Sequence, residues 1–104
     1  MPRTYSQRFV LGVQQGDRRH PGTRLALACI RANIPAIHIS KVLGVSRVTV
    51  FSWFRGKAIG LKEKSATVDS LASLIENDLK LGVLPAANTT VAKKYLSALV
   101  GFEL

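Results

Sequence analysis

The residues of this chain whose types could do chemistry are cations and hydroxyls gathered between positions 46 and 64: Ser46, Arg47, Thr49, Ser52, Arg55, Lys57, Lys62 and Lys64. Such groups hold anions and donate hydrogen bonds, and they do not make or break bonds unless a base or a metal accompanies them. No such companion is present. The sequence has no Ser/His/Asp or Cys/His set at workable spacing and no glycine-rich phosphate loop, and its six acidic residues are scattered. Cys29 is single, which excludes an internal disulfide, and no second histidine lies at ligand spacing from His38. Both read most simply as structural: Cys29 as a small buried hydrophobe, His38 as an exposed helical residue without a chemical role. The expectation is a binding protein rather than an enzyme, with no metal and no cofactor, and no small-molecule ligand is evident.

Charge narrows the partner. The net value is +9, unevenly spread. Residues 1–64 carry twelve Arg/Lys, from Arg3 to Lys64, against Asp17 and Glu63, a balance of +10. Residues 65–104 carry Lys80, Lys93 and Lys94 against Asp69, Glu76, Asp78 and Glu103, a balance of −1. A basic front and a near-neutral back imply a polyanion-binding surface on one part of the molecule. Charge alone admits RNA, DNA or an anionic lipid equally. No apolar run is long enough for a membrane span, and Met1-Pro2-Arg3-Thr4 lacks the apolar stretch of a secretory leader, so the expectation is a cytoplasmic protein.

Helices must position these groups, and their starts and stops are readable. A first helix is expected over Ser6–Gln15, stopped by Gly16. A second, opened by Pro21 at its first position, carries Leu25, Ala28, Cys29 and Ala32 at helical spacing to about Ala32, with Asn33 suited to the left-handed stop. A third is expected over Pro35–Leu43, closed at Gly44, and a fourth, capped by Ser46, reaches about Arg55. A fifth over roughly Ser65–Leu81 carries Val68, Leu71, Ala72, Ile75 and Leu79 on one face. A sixth covers about Thr89–Val100, and Gly101 stops it. The fold class is all-α: one domain, 1–104, of five to six helices, with residues 20–64 as its binding core and 65–104 as a C-terminal helical pair.

The third and fourth helices carry the functional argument. Two short helices cross tightly only with a small residue at the crossing, a turn that permits positive φ, and a few apolar residues knitting the pair. Ser40, Gly44 and the set Ile39, Leu43, Val45, Val50 and Trp53 meet those needs. The run Leu43-Gly44-Val45-Ser46-Arg47, then Thr49-Val50, Trp53 and Arg55-Gly56-Lys57, resembles the lambda-repressor/Cro-like (XRE-type) helix-turn-helix domains. The resemblance covers about residues 22–57. The chain departs from the family's usual pattern at Ala36 and Ile37, where Gln or Glu is frequent, and at Phe54, where a polar residue is.

The resemblance implies binding of double-stranded DNA with the fourth helix in the major groove. Carried over by position, Ser46, Arg47, Val48, Phe51 and Ser52 would face the bases. Arg47 suits a bidentate bond to guanine, and Val48 or Phe51 suits contact with a thymine methyl. Thr49, Arg55, Lys57, Lys62, Lys64 and Arg24 would meet phosphates, with a solvated basic face as the plainer alternative. Trp53 matches a position buried in the family. The plainer reading of Arg47 is a phosphate contact, and that of Phe51 is burial.

Two uses of DNA binding remain open. One recognition helix reads only a few base pairs, so a sequence-specific transcription regulator of this type is expected to be a homo-oligomer, with a dimer favoured and the C-terminal helices as the candidate pairing region. The alternative is a packaging role in phage: Leu79-Lys80-Leu81-Gly82-Val83-Leu84-Pro85 with Asn88-Thr89-Thr90-Val91-Ala92-Lys93-Lys94-Tyr95-Leu96 looks like the tail of phage small terminase subunits, which assemble as rings. The setting implied is a prokaryotic or phage-infected cell.

Overall fold

Each helix of the chain starts and stops on local chemistry, and a computed structural model, which describes residues 5–104, shows six of them and no strand among those residues. Arg3, counted with the basic front, lies outside the described residues. Helix α1 (Gln7–Gln14) is opened by the Ser6 hydroxyl, which accepts the Phe9 N–H at 3.2 Å. Helix α2 (Pro21–Ala32) has Pro21 in its first turn and a less usual cap, the imidazole Nδ1 of His20, which accepts the Gly22 N–H at 3.0 Å. Asn33, at φ 59°, ends it in the left-handed conformation.

Helix α3 (Ala36–Leu43) follows Pro35 and ends at Gly44, φ 67°. Helix α4 (Arg47–Phe54) starts at once, capped by Ser46. Helix α5 (Lys62–Lys80) begins three residues before the expected Ser65, since Leu61 is still extended and Glu63 places a negative charge in the first turn, where the helix dipole favours it. Helix α6 (Thr89–Val100) is opened by the Asn88 side chain, which accepts the Val91 N–H at 3.0 Å, and stopped by Gly101.

Packing is organised around α2. Its Leu25, Ala26, Ala28, Cys29 and Ala32 are buried, and the small residues among them let neighbours approach on several sides. Its largest contact is with α5, through Val68, Leu71, Ala72 and Ile75, and α1 and α4 also pack on it. Helix α6 lies against α3, burying Ala92 and Leu96, and the Tyr95 hydroxyl donates to the Asp78 carboxylate of α5. The loop between α5 and α6 closes the end of α2: the Ala86 N–H donates to the Ala32 carbonyl at 2.8 Å, and the Asn33 amide donates to the Ala86 carbonyl at 2.9 Å. The near-neutral C-terminal helices therefore share one core with the basic N-terminal ones. Among the described residues no helix is long and apolar enough to cross a membrane.

Two sequence expectations are corrected here. Trp53, expected in the core, is only partly buried, and its neighbour Phe54, 1% exposed, takes the interior position. The reason is the phase of α4: Val50 and Phe54, four residues apart, turn inward together, and Tyr5 and Phe9 supply aromatic surface for Phe54. His38, expected to be exposed, is 7% exposed because α6 covers that side of α3.

Candidate nucleic-acid interface

The α3–α4 pair is built from the elements its sequence called for. Ser40, the small residue at the crossing, is buried, and its hydroxyl donates to the Ile37 carbonyl at 2.6 Å. Ile39, Leu43 and Val50 are buried and Val45 and Trp53 pack against them, so the two helices are held as one unit. Gly44 supplies the left-handed turn, and the Val45 N–H donates back to the Ser40 carbonyl at 3.1 Å. At the start of α4 the Ser46 hydroxyl accepts the Thr49 N–H at 3.1 Å and lies 2.9 Å from the Thr49 hydroxyl.

From behind, α4 is fixed by two contacts. The ring of Phe51 stands 5.2 Å from Phe9 and 6.0 Å from Phe54, edge to face, and 6.3 Å from Tyr5, whose hydroxyl donates to the Ile34 carbonyl at 2.6 Å. Burial raises the Tyr5 pKa far above its ordinary value, so that hydroxyl stays a donor. The second contact is Gly22, at the start of α2. A Cβ there would lie 2.6 Å from the Trp53 carbonyl carbon and closer still to its oxygen, so the α2–α4 crossing requires glycine.

The outer side of α4 is different. Arg47 is exposed, and so is its neighbour Val48, at 76%, both in the first turn of α4. Ser46 is exposed but engaged as the cap, and the partly buried Ser52 donates to the Val48 carbonyl at 3.1 Å. Arg55, Lys57 and Lys62 are exposed, and none of them makes an ion pair among the described residues. The Arg55 guanidinium rests 5.9 Å from the Phe51 ring centroid.

No protein-family model matches this chain, and no curated protein or solved structure matches it either.

Three of the expected contact residues are re-placed by the geometry. Phe51 turns its ring toward α1 rather than outward, so it leaves the base-contact set. Arg24 lies on the α2–α5 seam, where it donates to Glu76 at 2.6 Å, to Asp69, and to the Ser73 hydroxyl at 3.2 Å; the bond to Glu76 does most to raise its pKa, and it is not free for phosphate. Lys64 falls in the first turn of α5 and donates to the Leu43 carbonyl, placing its charge at the C-terminal end of α3, where the helix dipole favours a cation. The remaining set is Ser46, Arg47, Val48 and Ser52, with Thr49, Arg55, Lys57 and Lys62 around it.

Sequence reasoning missed Phe54, Gly22 and His38. Phe54 had a signal, since Val50 and Phe54 are four apart and both apolar. Gly22 and His38 had none that is local, because each is defined by an element distant in sequence. His38 Nε2 lies 3.1 Å from the Thr89 hydroxyl, and its Nδ1 is buried with no partner among the described residues.

Proposed function

We propose that this chain binds double-stranded DNA sequence-specifically, with α3 and α4 as a helix-turn-helix and α4 as the recognition helix, and that it acts as a transcription regulator. One observation carries the reading: α4 is clamped on its inner side by Val50, Phe51 and Phe54 while its first turn offers Arg47 and a bare Val48 to the outside, flanked by cations that pair with no acid among the described residues. Arg47 supplies the bidentate donors a guanine edge accepts, and Val48 supplies a surface for a thymine methyl. Arg55, Lys57 and Lys62 supply the sequence-independent attraction to phosphate, and the exposed Ser46 end of α4 directs its dipole the same way.

A regulator of this kind gains its specificity by pairing two recognition helices, and exposed apolar side chains in the C-terminal half, among them Leu81, Val83 and Phe102, offer surface for a second copy. The same side chains would serve equally in the second reading, a DNA-recognition subunit of a phage packaging machine, in which more copies close into a ring. Selection of bound duplexes from a random library tests both. A sharp motif repeated with two-fold symmetry is the result expected of a dimeric regulator. A single unrepeated motif with a ring-sized mass in light scattering favours packaging, and retention of all sequences alike overturns specific recognition.

A further inference from the structure

Helix α5 buries one side, Val68, Leu71, Ala72 and Ile75, against the core, and its opposite side lies open. That open side is a stripe stepping by four and three residues in turn: Glu63, Thr67, Ser70, Leu74, Asn77 and Leu81, all exposed. This is the spacing at which one helix lays a continuous edge against another. Leu74 is 47% and Leu81 69% exposed, and the apolar residues just beyond the helix ends, Leu61 and Val83, are 66% and 60% exposed. The Thr67 hydroxyl already donates to the Glu63 carbonyl at 2.9 Å, so covering it strands no donor. At a rise of about 1.5 Å per residue the 19 residues of α5 run about 28 Å, against 29 Å for the longest dimension of the molecule, so the stripe crosses its whole width.

Charge says what can lie there. The chain carries +9, which opposes a second copy over most of its surface. Helix α5 is the exception: it holds four of the six acidic residues, Glu63, Asp69, Glu76 and Asp78, against three lysines, a balance of −1. The stripe itself has one charge, Glu63, at one end, and Lys80 flanks it at the other; neither makes an ion pair among the described residues. A parallel pair of α5 helices sets Glu63 against Glu63 and Lys80 against Lys80. In an antiparallel pair the stripe is its own complement, because its positions fall symmetrically about position 72: Leu74 opposite Ser70, Asn77 opposite Thr67, Leu81 opposite Glu63. Leu61 and Val83 are placed opposite each other in the same register, and Glu63 of each copy comes beside Lys80 of the other.

From this self-complementary edge we infer that the outer face of α5 is the contact between two copies of the chain, the two α5 helices packing antiparallel about a two-fold axis level with Ala72. Leu74 of each copy lies over the small Ser70 of the other, the Thr67–Asn77 layers hold the register, and the Glu63–Lys80 pairs close the two ends. A two-fold contact of this kind is complete at two copies. The inference rests on the pairing of two copies proposed above and gives that pairing its surface; recognition of DNA plays no part in it.

The test is sedimentation equilibrium of the full chain without DNA, over a wide range of protein concentration. Two copies at high concentration is the expected result. Leu74→Glu is expected to leave a monomer that keeps the helical circular dichroism, while Leu11→Glu, the same change at an exposed leucine of α1, is expected to dimerise as the wild type does. The register is read by exchanging charges. Glu63→Lys and Lys80→Glu are each expected to weaken dimerisation by about fivefold, since two exposed pairs per dimer become repulsive, and the doubly exchanged protein is expected to recover. Positions 63 and 80 lie about 25 Å apart along one helix, well beyond the screening length, so recovery arises only between chains. A monomer at all concentrations, a closed assembly of more than two copies, undiminished dimerisation of Leu74→Glu, equal loss in Leu11→Glu, or additive losses in the double exchange would each overturn the contact. A monomer that still selects one duplex motif fails this inference alone, and a dimer that retains all duplexes alike fails the DNA reading alone.

Discussion

Arg24 and Arg47 belong to the same basic front of the sequence, yet the fold gives them opposite surroundings. On the α2–α5 seam, Arg24 is met by Glu76, Asp69 and Ser73, all from the near-neutral C-terminal half. On the outer side of α4, Arg47 meets no acid among the described residues. The chain therefore folds two of its six acids back onto the basic half at one face and leaves the other face uncompensated. A count of charges along a sequence says how much positive charge there is. Where that charge can act on a partner is decided by which cations the acids reach.

The comparison breaks first at the inner side of α4. If the outer face is displayed by the packing behind it, Phe54→Ala should have the largest effect of any change considered, a loss of about 3–5 kcal/mol of stability. That is enough to unfold much of a domain of this size. Thermal or urea unfolding measures it, and Trp53→Ala, at a partly buried position, should lose visibly less. A Phe54→Ala protein that melts with the wild type would show that α4 is held by something else. On the outer side the expectation reverses: Arg47→Ala should leave the melting temperature near that of the wild type and weaken specific DNA binding by about 1–3 kcal/mol, with relaxed preference at one base position. Equal loss on every duplex would make Arg47 a phosphate contact.

How far the sequence reveals this contrast depends on how local each cause is. Helix ends are legible because their causes sit within a few residues: Ser6 and Ser46 cap α1 and α4, Pro21 opens α2, and Asn33, Gly44 and Gly101 take the left-handed conformation where a stop is expected. The tight α3–α4 pair is legible for the same reason. Which aromatic of Trp53-Phe54 turns inward is not, since Val50 is helically spaced from both and the choice is made by Tyr5 and Phe9, more than forty positions away. Arg24 is a like case: its spacing on α2 is compatible with a free cation, and only the docking of α5 brings Asp69 and Glu76 to it.

The seam itself can be sharpened by a smaller effect. Arg24→Ala removes two ion pairs whose carboxylates are substantially exposed, so its cost in stability should be about 1 kcal/mol or less, apart from the lost packing of its stem. Its more informative readout is salt dependence. If Arg24 is engaged inside the molecule, the slope of log affinity against log salt for DNA should be unchanged in Arg24→Ala. Reversing Lys57 and Lys62 together should flatten it by about 0.9 for each phosphate that the protein no longer neutralises. A flattened slope in Arg24→Ala would return that residue to the phosphate-contact set and erase the contrast with Arg47.

The smallest expected effect probes the inward-facing polar groups at the other end of α3. His38 is buried between α3 and α6, with Thr89 at Nε2 and no partner at Nδ1 among the described residues. Burial first, and then the positive charges of Lys41 on α3 and Lys93 on α6, hold its pKa below the ordinary imidazole value of about 6.5. An unfolded chain takes up a proton at that ordinary value and the folded chain only below it, so between the two the unfolded state binds more protons and stability rises with pH. The contribution is complete above the ordinary value and is lost as pH falls through the lowered one. Asp17, whose pKa is lowered first by the Arg19 backbone N–H, responds in the same direction but only in the lower, carboxylate range, so the two windows separate. Urea midpoints measured in small pH steps should therefore drop for the wild type just below the ordinary imidazole value and stay flat there for His38→Gln, which keeps a polar side chain but cannot take the proton. Parallel curves for the two proteins across that window would mean that α6 does not close over His38 tightly enough to keep it neutral.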